Sequence, residues 1–318
     1  MKVFVQHRPE NRPWGGGNQF VLFIIDYLKK NNHEITFNLE SDVDVFFIIN
    51  PKSGPMRKNS IDDVFNFRNS KCKNGKIYLR VNENDSRKNT NHMDNLILNG
   101  IKKSDYVIYI SNWLKEYFIQ KKAEHKNNPV VFGMACDEKI FYPAENKVLS
   151  SENNQKIKII THHHSENWMK GFDIYQEIDN WLHTDNEASE KYEFYYMGNL
   201  NRNFKKKSTI HIPEKHIKES ANFLRDCDIY ITATINEPGG NHHVEGVRCG
   251  LPILYDNKGG AVVEYGERWG LGFNNFSEFK EKLDILVKNY YSYREKIDYN
   301  YLSSERCCKE YLDFFLKN

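Results

Sequence analysis

Residues 43–49 read VDVFFII, a nearly continuous apolar run. A run of this kind has no solvent face. It predicts a strand covered on both sides, as in a parallel sheet flanked by helices. It belongs to an alternation of short apolar runs and amphipathic stretches that the chain goes through twice. In the first pass, strands are expected at 1–5, 35–39, 43–49, 77–81, 106–111 and 129–133. Helices are expected at 19–30, 92–103 and 113–122; in the first of these Phe20, Phe23, Ile24, Tyr27 and Leu28 recur at helical spacing. In the second pass, strands are expected at 156–161, 192–197, 229–232 and 253–255, and helices at 171–182, 214–226 and 242–249. The tail from residue 276 onward reads as mostly helical. Such βαβ alternation predicts α/β architecture: two Rossmann-like, doubly wound parallel-sheet domains with helices on both faces.

Between the passes, the segment 137–143 (DEKIFYP) leads into a polar stretch, 145–155, with no apolar period. The domain boundary is expected there, giving domains 1–145 and 152–302. A chain of 318 residues suits two domains. With 39% hydrophobic and 14% aromatic residues there is material for two cores.

The net charge of +2 gives no global reason to bind nucleic acid or an anionic membrane. The run Lys205-Lys206-Lys207 reads as a solvated loop. The cysteines, Cys72, Cys136, Cys227, Cys249, Cys307 and Cys308, contain no C-x-x-C pair. Neither a zinc module nor a secreted disulfide framework is expected. The start, MKVFVQHRPEN, lacks the apolar core of a signal peptide, and no stretch resembles a membrane span. A cytoplasmic location is expected, with contact at a membrane surface left open.

The stretch 236–257, NEPGGNHHVEGVRCGLPILYDN, carries the chemistry. It follows a predicted strand, at the sheet edge where open α/β folds bind ligands. Gly239 and Gly240 let backbone N–H groups approach a ligand closely. The helix that starts near Asn241 and His242 offers unpaired N–H donors and a positive dipole end, an anion site for phosphate. Glu245, about one turn in, suits ribose hydroxyls, and Glu237 suits a second sugar at the other end. The set points to a phosphate flanked by sugars. In 161–175 (THHHSENWMKGFDIY), Lys170 before Gly171 is placed to neutralise a diphosphate leaving group.

Consecutive histidines on a strand point to alternate sides, so only two of His162, His163 and His164 could share an ion. Packing or substrate contact is the expectation for them. The D-x-D pairs Asp42/Asp44 and Asp226/Asp228 precede strands and read as solvated turns. The glycines of WGGG, Gly16 and Gly17 among them, precede a helix and could approach the donor phosphate or sugar. They are not a G-x-G-x-x-G, so no nicotinamide fingerprint is read. The polar loop 80–92 (RVNENDSRKNTNH) offers Asn82, Glu83, Asp85 and Arg87 to an acceptor. Glu83 or Asp85 would be the base if the reaction inverted.

The stretch EPGGNHHVEGVRCGLPIL resembles the E-x7-E motif of retaining glycosyltransferases of the GT-B fold, the family 4 type. KGGAVVEYG is similar to the Gly-Gly…Glu loop that follows, with Glu264 one residue late. WGGGNQFVLFIIDYLKKNNHEITF, SDYVIYISNWLKEYF and VVFGMACDEKIFYP resemble further family segments, so the resemblance covers most of the chain. It implies two domains facing a cleft and a last helix, 303–318, that packs back on the first domain. It implies a nucleotide-sugar donor, UDP- or GDP-linked, and a glycan or other hydroxyl acceptor. It also implies retention, no metal and no cofactor besides the donor substrate. By position Glu237 and Lys170 are catalytic. Donor contacts fall on Glu245, Gly239, Gly240, Asn241, His242, His164, Ser165, Gly16, Gly17, Gly198 and Ile212. Ser165 stands where the family has an arginine, for which His164 or Arg202 is the substitute. That departure leaves open a non-catalytic nucleotide- or glycan-binding protein on the same fold, and a sugar phosphorylase of the same fold is a further alternative.

Overall fold

The apolar run behaves as its composition demands: Val45, Phe46, Phe47 and Ile48 are each at most 3% exposed. The computed structural model describes residues 1–10 and 15–318. These form two units, Met1–Ala135 with Ser304–Asn318, and Cys136–Ser303.

The first unit runs β1 (Lys2–Val5), α1 (Gly15–Lys30), β2 (Glu34–Thr36), β3 (Val45–Ile48), α2 (Ile61–Lys71), β4 (Lys76–Val81), α3 (Met93–Lys103), β5 (Tyr106–Tyr109), α4 (Asn112–Gln120) and β6 (Val130–Val131). Its strands make one parallel sheet in the order β2-β1-β3-β4-β5-β6. Helix α2, absent from the sequence expectation, is started by a capping box in which Ser60 and Asp63 each satisfy the other's backbone N–H. Helix α1 begins at Gly15, so Gly16 and Gly17 belong to its first turn and not to a preceding loop. Residues 11–14 of that expected loop, Trp14 included, lie outside the described residues. The last helix, Ser304–Lys317, inserts Tyr311, Leu312 and Phe315 among Phe20, Ile24 and Phe47 of this unit's core.

The second unit continues with β7 (Ile157–His163), α5 (Phe172–Thr184), α6 (Asn186–Lys191), β8 (Tyr192–Gly198), β9 (Ile210–Ile212), α7 (Ile217–Asp226), β10 (Ile229–Thr232) and α8 (Asn241–Arg248). It ends with β11 (Ile253–Asp256), α9 (Val262–Trp269), β12 (Gly270–Phe273), α10 (Phe276–Lys288) and α11 (Tyr290–Glu295). The sheet is again parallel, in the order β12-β11-β10-β7-β8-β9. Alternate side chains of a strand face opposite ways. Ile229 and Ile231 join Phe172, Tyr175, Phe279 and Leu283 of α5 and α10 in one core cluster. Between them Tyr230 points to the other face, under α8 at Gly246. Both faces are therefore covered by helices.

Two sequence expectations need correction here. The polar stretch 145–155 is not the boundary, which falls at Ala135 and Cys136. The stretch is tied into the second unit. Arg294 donates to the carbonyls of Ala144 and Lys147 at 3.0 and 2.9 Å, Lys147 pairs with Asp228 at 3.2 Å, and Leu149 and Ser150 are buried. Asp228, in turn, is no solvated turn residue. It is fully buried and accepts the N–H groups of Ser150 and Lys158 at 3.3 and 2.8 Å. Among the described residues no helix is long and apolar enough to cross a membrane. All six cysteines are buried thiols.

Candidate functional site

In the second unit the chain lays β7, moves outward to β8 and β9, then returns to place β10, β11 and β12 on β7's other side. The loops leaving β7 and β10 therefore diverge at a topological switch point, where doubly wound sheets bind ligands. His162 and His163 end β7, with His164, Ser165 and Lys170 just beyond it, and Thr234, Glu237 and α8 follow β10.

The two loops are clamped together. Lys170 ends a 3-10 turn, Trp168–Lys170, which Gly171 closes at φ 102°. A Cβ on Gly171 would lie 2.7 Å from the backbone of Ala233, so only glycine lets the turn lie against the β10 loop. The Ile235 N–H then donates to the Met169 carbonyl at 3.0 Å. From this clamp the Lys170 ammonium meets the Glu237 carboxylate in an ion pair, with the two residues 8% and 2% exposed. Glu237 is also fixed through its backbone: its N–H donates to Gly259 and its carbonyl accepts from Ala261, at 3.1 and 2.9 Å.

Beyond Gly239, Gly240 caps α8 in an extended conformation, φ −88° and ψ 126°, with no side-chain cap. A Cβ on Gly240 would come within 2.5 Å of the His242 ring, so the glycine lets that ring fold under the helix tip. The uncapped first-turn N–H groups of α8 remain available to an anion. Asn241 heads the turn, with its buried Oδ1 unpartnered. His242 Nε2 bonds Thr232 Oγ1 at 3.1 Å, and His243 bonds the Tyr265 hydroxyl. His163, on β7, bonds Thr161 and Tyr175 and stacks edge-on to His242, with ring centroids 4.4 Å apart. Burial, then the positive charge or histidine nearby, holds His163 and His242 far below their ordinary pKa. Burial brings His243 down to about 3. The cluster is neutral imidazole at neutral pH.

Glu245, on α8, is oriented by His162, whose Nε2 donates to Oε2 at 2.8 Å. With Nε2 as the donor, Nδ1 accepts from the Tyr230 hydroxyl at 3.1 Å. Sequence reasoning missed this relay. The partners stand 83 residues apart and meet only because β7 and β10 are neighbours. The three histidines alternate as expected, and each has a separate partner. Among the described residues no cluster of three or more His, Cys, Asp or Glu could hold a metal.

Beside this centre opens a pocket of about 700 Å³ lined by His164, Ser165, Gly198, His211, Pro213 and Glu214, among others. Gly198 has φ 118°, and a Cβ there would meet the His163 carbonyl oxygen at 2.0 Å. The glycine thus keeps β8 tight against the end of β7. Ile212 is not in the lining, whereas its neighbours His211 and Pro213 are. His164 donates to Glu214 at 2.7 Å and is exposed; Arg202 is exposed and stands outside the lining.

In the first unit, Asn82 and Gly17 line a separate pocket of about 260 Å³, and Gly16 precedes them in the first turn of α1. Glu83 pairs with Arg87 and Lys88 at 3.3 and 3.2 Å. Asp85 is committed elsewhere. Its carboxylate accepts the N–H groups of His92, Met93 and Asp94 and the Thr90 hydroxyl, capping α3. We assign it to the shape of that loop and not to acceptor binding or base catalysis.

No family model matches the chain, and no curated protein matches it. Solved structures do. The sucrose-phosphate synthase of Thermosynechococcus elongatus aligns with a TM-score of 0.70 at 10% identity over 99% of this chain and 98% of its own. Anabaena HepE, in complex with UDP and glucose, aligns at 0.70 and 11% over 100% of both chains. An alpha-glucosyltransferase in complex with UDP-glucose and DNA containing an abasic site aligns at 0.61 and 13%, over 99% of this chain and 98% of its own. At these identities the likeness speaks to architecture, and that architecture is GT-B: two Rossmann-like, doubly wound parallel sheets in one chain.

Proposed function

We propose that the protein is a glycosyltransferase that moves a sugar from a UDP- or GDP-sugar to a glycan or other hydroxyl acceptor, with retention and without a metal. The observation that carries the reading is the buried Lys170–Glu237 pair at the switch point, with Glu245 on the first turns of the adjoining helix. A buried ion pair is a poor device for stability, so its presence at a ligand-binding edge calls for a ligand. Structural neighbours were solved in complex with UDP, with glucose and with UDP-glucose, which favours a nucleotide sugar.

In this reading Lys170 exchanges its carboxylate partner for the donor diphosphate, together with the N–H groups at the tip of α8. Glu237, released, accepts hydroxyls of the transferred sugar, and Glu245 those of the ribose. The bond from the anomeric carbon to the phosphate oxygen breaks as the acceptor oxygen bonds that carbon from the same face. The acceptor proton passes to the departing phosphate oxygen, and nucleoside diphosphate leaves. Catalysis is positioning plus charge stabilisation. Lys170 and the helix tip supply the positive charge that a metal would otherwise bring.

The test is nucleotide binding and sugar release across a panel of UDP- and GDP-sugars. Glu245→Ala should weaken UDP or GDP binding about tenfold or more, the worth of a hydrogen bond to a charged group. Lys170→Ala should lower turnover by roughly 10²–10³, the scale of losing one transition-state charge contact. Unchanged turnover in EDTA and an anomer retained by NMR are expected. Ser165 favours one rival reading, a non-catalytic binder, because a neutral hydroxyl stands where the family has an arginine. Nucleotide binding with neither transfer nor hydrolysis for any donor would establish that rival.

A further inference from the structure

The first unit has its own strand-order reversal: the chain leaves β1 for β2 on one side and then crosses to β3 on the other. The pocket of about 260 Å³ stands at that point, lined by His7 after β1, Asn50 after β3, Asn82 after β4, Asn18 from α1, and Arg57. Doubly wound sheets take ligands at this position. The volume is several times the share of one water, about 30 Å³.

Arg57 is held there rigidly. It and Gly54 exchange both backbone hydrogen bonds, at 2.8 and 2.9 Å, in a tight turn. Its Nε donates to the Lys52 carbonyl at 3.2 Å, and its Nη1 faces His7 Nδ1 at 3.4 Å. Among the described residues these are its side-chain hydrogen-bond partners, and neither is a carboxylate. His7 is 6% exposed, and burial together with Arg57 keeps it neutral. With Nδ1 accepting from the guanidinium, its Nε2 donates to Asn18 Oδ1, at 3.4 Å. Asn18 is locked by the Glu10 backbone, at 3.0 and 2.8 Å. The relay is neutral apart from Arg57, whose partial burial lowers its own pKa. A guanidinium drawn from water without a counter-charge is unfavourable, and a bound anion would remove that penalty through charge-assisted hydrogen bonds.

We infer that this pocket recognises an anionic group, a phosphate or a carboxylate, carried by the sugar acceptor. Arg57 supplies the charge, and Asn50 and Asn82 stand beside it for hydroxyls. The acceptor role rests on the glycosyltransferase reading; the anion preference does not.

Calorimetric titration of the full chain tests it with glucose, glucose 6-phosphate, glucuronate and inorganic phosphate as probes. At least one charged sugar should bind about tenfold or more tightly than glucose, the worth of a charge-assisted contact. Arg57→Gln should abolish that preference, and Arg57→Lys should restore part of it, which a variant that merely failed to fold would not do. Equal binding of glucose and both charged sugars, or a preference that survives Arg57→Gln, overturns the proposal. Inorganic phosphate binding as tightly as glucose 6-phosphate overturns the acceptor assignment. Should the glycosyltransferase reading itself fail, the parent protein would show no nucleotide binding or transfer, while the Arg57-dependent preference would remain.

Discussion

Lys170 and Glu237 are each other's solvent substitute. With 8% and 2% exposure, neither charge has water to fall back on. Removing one partner breaks the buried pair, at about 3–5 kcal/mol. Lys170→Met and Glu237→Gln should therefore each lower the urea midpoint markedly. The double variant should recover most of that loss, because it removes both charges together. Turnover should stay lost in all three, which separates the chemical role from the structural one. A double variant as unstable as the sum of the singles would mean the pair is not coupled. Only part of this centre is legible in a linear chain. The spacing within 237–245 is local, so Glu237, the glycines and Glu245 can be marked by eye. The pairings cannot: Lys170 is marked by its place before Gly171, but that it meets Glu237 across 67 residues, and that His162 meets Glu245 across 83, is set by the fold. Nor does the composition of 80–92 tell Asp85, a buried helix cap, from an exposed carboxylate. That distinction is made by which backbone N–H groups the fold aims at it.

Helix α8 carries both the anion-binding tip and Glu245, so its seating on the sheet sets the site. It rests on Tyr230 through Gly246, where an added Cβ would meet the ring at 2.2 Å. Gly246→Ala must push the helix off the strand. Overpacking of this kind costs roughly 1–3 kcal/mol. A loss of that size by chemical denaturation is expected, together with weaker UDP binding, since tip and glutamate move together. Full affinity in Gly246→Ala would detach the nucleotide site from α8. The strands under these helices were readable because β-branched and aromatic runs such as IYIT at β10 have no polar face. Strand β12 was not, because GLGF has two glycines and poor strand propensity. Its pairing is dictated from outside: a Cβ on Gly270 would overlap the Ile253 carbonyl oxygen at 1.7 Å. Helix α1 misled in the opposite direction. Three glycines read as a loop, yet the helix starts among them at Gly15.

Across the whole molecule the displaced groups that bear on stability just below neutral pH are histidines. His163, His242 and His243 lie fully enclosed in the second unit, and His7, His33 and His125 are partly enclosed in the first. In each, burial is the largest cause and the pKa is lowered. Below the ordinary 6.5 the unfolded chain takes up a proton that the folded ring refuses, so stability falls as the pH falls. Each fully enclosed ring contributes about 1.4 kcal/mol per pH unit, from 6.5 down to its own folded value. For His243 that window extends to about 3. Asp256 and Glu177, whose carboxyls burial pushes up, act the other way, but only near the carboxylate range. Calorimetry from pH 7.5 to 5.0 should therefore show the second unit's unfolding temperature dropping more steeply than the first's. The two units are followed separately because a chain with two cores need not unfold in one step. His243→Asn lowers stability at pH 7.5 through the lost bond to Tyr265, yet it should flatten the acid dependence by about one proton. A profile equally steep in parent and variant would mean that His243 is charged inside the fold, and with it would go the neutral imidazole cluster beneath the helix tip.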